Sequence, residues 1–430
     1  MLSISAGSAT SKRTAWSTVA ICATAIFFVL SAPAVLMPVM YGSIMDQTGW
    51  SYGQVTAFSS WKFLSGAITS LILGFIIDFI RIKIVAVAGA CLSGLSLLAM
   101  QFVDSPTIFY LLGFAIGTSA VVITICCKGL LSHWFNEDLG LAVGVAFTGG
   151  SIAGVLVPLV SVVLLEAIGW RNTAAFFGAA TLIFVVPVIS LFLREKPGEG
   201  PVESFGDHDS NQLVHDAQGT GGSIFIAQPI DKIVTGSTFW KLMFAHFLVA
   251  GVDYALMKHT ALYIEKDAGL GKSVAAGAIT IIVLAGMCGK IGFGWLYDRF
   301  SMHGIAFCWW SLALGVVLAF PVSGTVTLTL FAIVRGVSHG GVMIDPPCLV
   351  LHNFGTRSLA KFVSFLSFAN MLGAALSTTL IGYIRDATGS YNLVFCHSYR
   401  PRSRRRTDCV LHQARILALA ETHQTNRIKV

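Results

Sequence analysis

The chain has 430 residues, 55% hydrophobic and only 11% charged, with a mean hydropathy of +0.76. An average soluble chain carries about 25% charged residues. The deficit excludes a soluble globular enzyme, a disordered chain and a nucleic-acid binder as first readings. The formal charge of +7 is uneven: from Cys396 onward, seven Arg and one Lys face only Asp408 and Glu421, a net of +6. The preceding 395 residues are nearly neutral, at +1. The nine cysteines lack metal-like spacing, and the one close pair, Cys126-Cys127, is adjacent in an apolar run. Neither a disulfide nor a metal is assigned, and cysteine in such runs reads as a small packing residue.

Lys12-Arg13 precede an apolar stretch that continues to about Met45. That is longer than the roughly 7–15 residues of a signal-peptide core, so it reads as a first membrane helix. A bilayer core of about 30 Å takes about 20 apolar residues per helix. Eleven such runs follow in order: 16–45, 54–77, 84–103, 107–131, 140–167, 173–193, 239–263, 274–297, 304–322, 325–351 and 359–384. The expected fold is an all-α integral membrane protein. Lys12, Arg13, Arg81, Lys83, Arg194, Lys196, Lys232, Arg299 and Arg357 fall on the side shared with the N-terminus, against Arg171, Lys266, Lys272 and Arg385 opposite. The excess places the N-terminus in the cytoplasm. Residues 194–238 form the longest polar break and read as a cytoplasmic linker between a six-helix half, 1–193, and a second half, 239–395.

The halves repeat. Gly74-Phe-Ile-Ile-Asp78 recurs as Gly294-Trp-Leu-Tyr-Asp298, a shift of 220, and Gly169 maps onto Gly389 by the same shift. His133-Trp-Phe135 and His352-Asn-Phe354 are related by 219. Duplicated halves of this kind are the architecture of alternating-access carriers. The loop signature Gly74, Asp78, Arg81, Lys83, with its counterpart Gly294, Asp298, Arg299, resembles that of the major facilitator superfamily. Three further stretches resemble its monocarboxylate and oxalate/formate-like branch. They are Trp50-Ser-Tyr-Gly-Gln54; Trp134-Phe135 with Gly140-Leu-Ala-Val-Gly144, Gly149-Gly150 and Gly169-Trp170-Arg171; and Gly382-Tyr-Ile-Arg-Asp386-Ala-Thr-Gly389. The resemblance covers residues 15–395 and implies the major facilitator fold of two pseudo-repeated helical halves. Leu139 departs from the Arg usual in the family, which implies weaker electrostatics at the inner gate.

Ionisable residues at membrane depth are costly unless paired or wet, so each is a candidate. Lys290 lies eight residues before Asp298, about 12 Å up the helix axis. The resemblance implies that it contacts an anionic substrate; the alternative is a structural ion pair. Asn370 and Lys62 are the other substrate-binding candidates, and Lys62 could equally snorkel outward. Asp345, beside Pro346-Pro347, is a carboxylate placed to load and release a proton, unless it simply pairs with Arg335 or Lys290. Asp253 and His259 are further proton-coupling candidates, and His259 can titrate near neutral pH. Lys128 is expected to snorkel to the inner surface. Asp78, Arg81, Lys83, Asp298, Arg299 and Arg335 read as gating residues. Lys361 lies too near the inner end to serve as a second substrate cation, which favours a monocarboxylate over a dicarboxylate.

A twelfth helix should begin near Tyr391, but residues 396–430 turn basic and contain no spanning run. The twelfth helix therefore reads as missing or disrupted, as by a frameshift. The main functional reading is a proton-coupled secondary carrier of a small organic monocarboxylate in the cytoplasmic membrane. Its partners are that acid, a proton and the lipid bilayer; it is a monomer without cofactor or nucleic-acid partner. The alternatives are an exporter of amphipathic compounds and a non-transporting, disrupted carrier. An enzyme is not indicated. Resequencing from the codon for Ser390 is expected to reveal a frame that restores about 20 apolar residues after Phe395; no such frame would make the basic tail genuine.

Overall fold

The computed structural model describes residues 6–135, 138–194, 230–319, 322, 324–355 and 359–388. Every regular element among them is helical, as an apolar medium demands: a spanning segment must satisfy its backbone polar groups internally. Helix α1 (Ala6–Ala25) passes through a π-helical stretch, Ile26–Ser31, into α2 (Ala32–Thr48). The widened turns sit directly before Pro33, whose ring removes an N–H and crowds the carbonyl one turn back. Gly49, with φ 70°, closes α2 in the left-handed conformation that favours glycine. The Trp50–Gln54 motif is a helix start: Ser51 Oγ accepts from the Gln54 amide, and Gln54 Oε1 accepts from that of Ser51. This reciprocal cap opens α3 (Tyr52–Ile76).

Next come α4 (Ile82–Ala99) and α5 (Pro106–Trp134), the latter capped by Ser105 with Pro106 in its first turn. Helix α6 (Leu139–Ala180) continues through a second π-helical stretch, Thr181–Val185, into α7 (Val186–Phe192). The short α8 (Ile230–Thr235) precedes α9 (Ser237–Leu262), then α10 (Lys272–Ala319), α11 (Thr325–Phe354) and α12 (Leu359–Thr388).

Nine helical stretches among the described residues are long and apolar enough to cross a membrane. Two of them, 139–192 and 273–319, hold 54 and 47 residues, about twice the length of one crossing. Each contains one non-helical residue: Gly169 (φ 74°, ψ 169°) in the first and Ser301 (φ 46°, ψ −122°) in the second. Divided there, the helices give the eleven crossings expected. Trp170, fully buried, follows the break, and Arg171 lies over its ring while donating to the Val103 carbonyl at 2.8 Å. The Gly-Trp-Arg motif thus turns the chain, anchors it and ties it to the end of the neighbouring hairpin.

Residues up to Gly382 form one compact unit, and Tyr383 begins a second, described only to the end of α12. Most of the 194–238 linker, the Gly389 landmark and the 396–430 tail lie outside the described residues. In the first unit, Leu36, Met40 and Ile44 of α2 pack with Phe58, Phe109, Trp170 and Phe177. The repeat shift exposes one difference. Ala90, Gly94 and Leu97 of α4 are buried, and a methyl on Gly94 would fall 2.6 Å from Leu182. Their counterparts 220 residues on, Trp310, Leu314 and Val317 of α10, are exposed. The helix that covers this stripe in the first half has no counterpart among the described residues.

Ser301 is the only non-glycine residue with positive φ among the described residues. Such a conformation costs about 1–3 kcal/mol and suits glycine. Ser301→Gly is therefore expected to stabilise the protein by about 1 kcal/mol, read as a higher melting temperature of the purified protein in detergent.

Candidate functional site

Buried polar groups concentrate where α9, α10, α11 and α12 meet. Asp253 of α9 and Arg335 of α11 are both fully buried, with Arg335 Nη1 2.8 Å from Asp253 Oδ1. Arg335 Nη2 also donates to the Asp253 main-chain oxygen at 2.5 Å. The other carboxylate oxygen meets His339 Nδ1 at 2.8 Å. Arg335 and His339 share a face because they are four residues apart on one helix. The histidine at Asp253 is thus His339, while the candidate His259 is half-buried farther along α9. Arg335, expected at a gate, is paired to α9, because a guanidinium with no access to water must take its counter-charge from the nearest helix.

Asp345 is also fully buried, yet pairs with neither Arg335 nor Lys290. Its Oδ2 accepts from Trp309 Nε1 at 2.8 Å, and its Oδ1 lies 3.8 Å from His246 Nδ1. His246 Nε2 in turn lies 3.4 Å from Asn370 Nδ2. Asn370 therefore reaches this cluster rather than Lys290. His246 and Trp309 are the residues that sequence reasoning missed. The signal for His246 was its spacing: seven residues before Asp253 is two helical turns, hence the same face of α9.

The two deepest lysines converge on Phe147 of α6. Lys290 Nζ donates to the Phe147 carbonyl at 3.0 Å and to Ser151 Oγ at 2.8 Å. Lys128 Nζ lies 5.2 Å from the centre of the Phe147 ring and donates to the Met343 carbonyl on α11 at 3.1 Å. Lys128 is buried and does not snorkel: its stem runs between packed helices, so the nearest oxygen is a carbonyl of α11 rather than surface water. Both ammonium groups rest on neutral groups. Lys62 of α3 is half-buried within electrostatic reach of Lys258 of α9, whose Nζ lies 5.7 Å from the Phe63 ring centre.

The repeated Gly-x-x-x-Asp motifs make corresponding contacts. Asp298 accepts from the Gly140 and Leu141 amides, at 2.6 and 2.7 Å, at the start of α6. Helix α6 has Asp138 at its N-cap, but that side chain makes no capping bond, so Asp298 supplies the negative charge a helix start favours. The Leu139 departure is answered by main-chain donors. Gly140 is required by contact: a methyl there would sit 2.5 Å from the Gly294 carbonyl oxygen. In the first repeat, Asp78 lies 3.8 Å from Lys361 of α12, and Gly74 packs on Phe365 of the same helix. Arg81 and Arg299 are exposed and Lys83 is half-buried nearby.

A set of membrane-length helices with buried charges and a repeated loop motif is the construction of a transporter rather than an enzyme. The family model of the Major Facilitator Superfamily matches residues 19–395, and the chain belongs to that superfamily. Its relatives include human monocarboxylate transporter 12, 21% identical over 407 residues (88% of this chain, 75% of the relative). Monocarboxylate transporter 13 of Rattus norvegicus is 25% identical over 316 residues, covering 72% and 68%. Mouse monocarboxylate transporter 11 is 27% identical over 342 residues, covering 73% and 69%. The fold matches the transporter FucP in the outward conformation, with a TM-score of 0.61, 16% identity and coverage of 86% and 92%. It also matches the human organic anion transporter MFSD10, with a TM-score of 0.62, 15% identity and coverage of 86% and 94%.

Breaking a buried ion pair from one side strands the other charge, at a cost of about 3–5 kcal/mol, whereas apolar replacement of both partners is far milder. Arg335→Met alone is expected to lower thermal stability sharply, and the double variant Asp253→Leu/Arg335→Met to recover most of the loss. A double-mutant cycle on melting temperatures in detergent checks this.

Proposed function

We propose that this protein is a secondary carrier of the cytoplasmic membrane that moves a small organic monocarboxylate together with a proton. The observation that carries the reading is Lys290: a buried ammonium whose bonds go to the Phe147 carbonyl and the Ser151 hydroxyl. A cation desolvated without a counter-charge is costly, and an entering carboxylate offsets that cost. Lys128, beside the same Phe147, adds to the positive field. Lys62, near Lys258, attracts anions farther along the path, and Asn370 orients the neighbouring cluster. The names of the relatives support the substrate class.

In this reading residues 1–193 and 239–395 are two halves that rock about the buried charges, joined by a cytoplasmic linker, with the N-terminus cytoplasmic and the monomer as the working unit. Asp78 on Lys361 and Asp298 on the start of α6 each tie a helix of one half to a helix of the other. Both contacts lie at the end assigned to the cytoplasm, and they hold the carrier closed there. Release of these two contacts permits opening inward. Asp345 supplies the proton-binding carboxylate.

The test is uptake of radiolabelled pyruvate by proteoliposomes. Lys290→Ala is expected to reduce uptake by roughly thirtyfold or more, the equivalent of about 2 kcal/mol of lost charge interaction. An unaltered rate would sink the assignment of Lys290, and efflux of an amphipathic dye untouched by the substitution would favour an exporter.

A further inference from the structure

Two buried polar atoms in this protein face each other without a hydrogen bond. His246 Nδ1 on α9 and Asp345 Oδ1 on α11 are 3.8 Å apart, both side chains are fully buried, and neither atom has a hydrogen-bond partner among the described residues. The remaining polar atom of each group is occupied. Asp345 Oδ2 accepts from the Trp309 indole at 2.8 Å. His246 Nε2 meets the Asn370 amide nitrogen at 3.4 Å. An amide nitrogen can only donate, so Nε2 is the acceptor. The hydrogen of the neutral imidazole is then on Nδ1, aimed at Asp345.

A donor and an acceptor aimed at one another across about an ångström too much space form a bond that a small helix shift makes or breaks. The other buried carboxylate offers no such freedom. Asp253 is held by the guanidinium of Arg335 and by His339, and a guanidinium remains charged at any working pH.

We infer that His246 and Asp345 together hold the transported proton, shared between Nδ1 and Oδ1, with Asn370 and Trp309 fixing the orientation of the two groups. The inference rests on the carrier reading above and assigns its proton site. The empty pair is a neutral imidazole and a carboxylate, with a net charge of −1. The loaded pair has gained one proton from the aqueous phase and is neutral overall, whether as carboxylic acid and imidazole or as carboxylate and imidazolium. Only an O–H or N–H bond forms on loading and breaks on release. The pair is faced by Lys128 on α5, Asp253 on α9, Tyr297 and Cys308 on α10 and Cys348 on α11. Helix α12 contributes the non-titrating Asn370.

The experiment has two arms, both on the full chain. In proteoliposomes, radiolabelled pyruvate is followed as gradient-driven accumulation and as exchange at equal pH. A one-unit pH gradient supports up to about a tenfold accumulation of a solute carried with one proton, because one pH unit is about 1.4 kcal/mol. His246→Gln retains a polar group at the site but has nothing to titrate. It is expected to lower the accumulation ratio to about one while exchange continues. Accumulation equal to wild type would overturn the inference, since a merely structural histidine is replaced by glutamine without loss of coupling.

The second arm reads protonation without transport. In detergent, the infrared stretch of the protonated carboxyl is titrated in wild type, Asp345→Asn and His246→Gln. The expected result is a band that vanishes in Asp345→Asn and titrates at a different midpoint in His246→Gln. An unchanged midpoint in His246→Gln overturns the shared site. If wild type carries no pyruvate in either assay but the infrared shift is present, the shared proton site stands and the monocarboxylate reading fails.

Discussion

Between α9 and α11 a guanidinium and a carboxylate meet 2.8 Å apart, with neither side chain exposed. No water is available to either, so each exists as an ion only because the other is there. The same constraint sorts the remaining buried charges. Asp345 finds an indole, Lys290 and Lys128 find carbonyl oxygens, and the half-buried Asp298 finds helix amides. Charges met by a full counter-charge are fixed in place. Those met only by neutral dipoles retain unspent affinity, and these are the groups from which binding is argued.

The glycines set where such meetings are possible. Gly140 against Gly294, and Gly144 against the main chain of Lys290, bring α6 and α10 into backbone contact. That closeness lets Asp298 reach the first amides of α6 and lets the Lys290 ammonium reach Phe147 and Ser151. Without it the side chains would fall short, whatever their chemistry. Packing by small residues and placement of charge are therefore one arrangement along this seam.

The crossings were legible because each is a run of apolar residues long enough to span a bilayer, and the two long helices divide at Gly169 and Ser301, inside polar breaks of the sequence. The repeat was legible from Gly74/Asp78 and Gly294/Asp298, since the motif keeps its spacing. The charged residues themselves could be named, because charge in an apolar run is conspicuous. Their partners were not legible. Asp253 was named without a partner, and its contact comes from His339 on α11. Lys128 was sent to the surface because helix neighbours, and so the carbonyl of Met343, leave no trace in the local sequence. His246 shares a face of α9 with Asp253 by its spacing, but the sequence does not show that Asp345 of α11 is brought to face it.

The two loop aspartates, alike in sequence, take hold of unlike surfaces. Asp78 grips a side chain, Lys361, whereas Asp298 grips the main chain of Gly140 and Leu141. A receptor made of backbone has no side chain to lose. Point substitution can abolish the first grip from either partner, but it removes the second most directly through Asp298 itself or through bulk introduced at Gly140. The duplicated motif has thereby become unequal in heritable terms: one copy can drift by compensating exchanges between two side chains, while the other is pinned to a single acid.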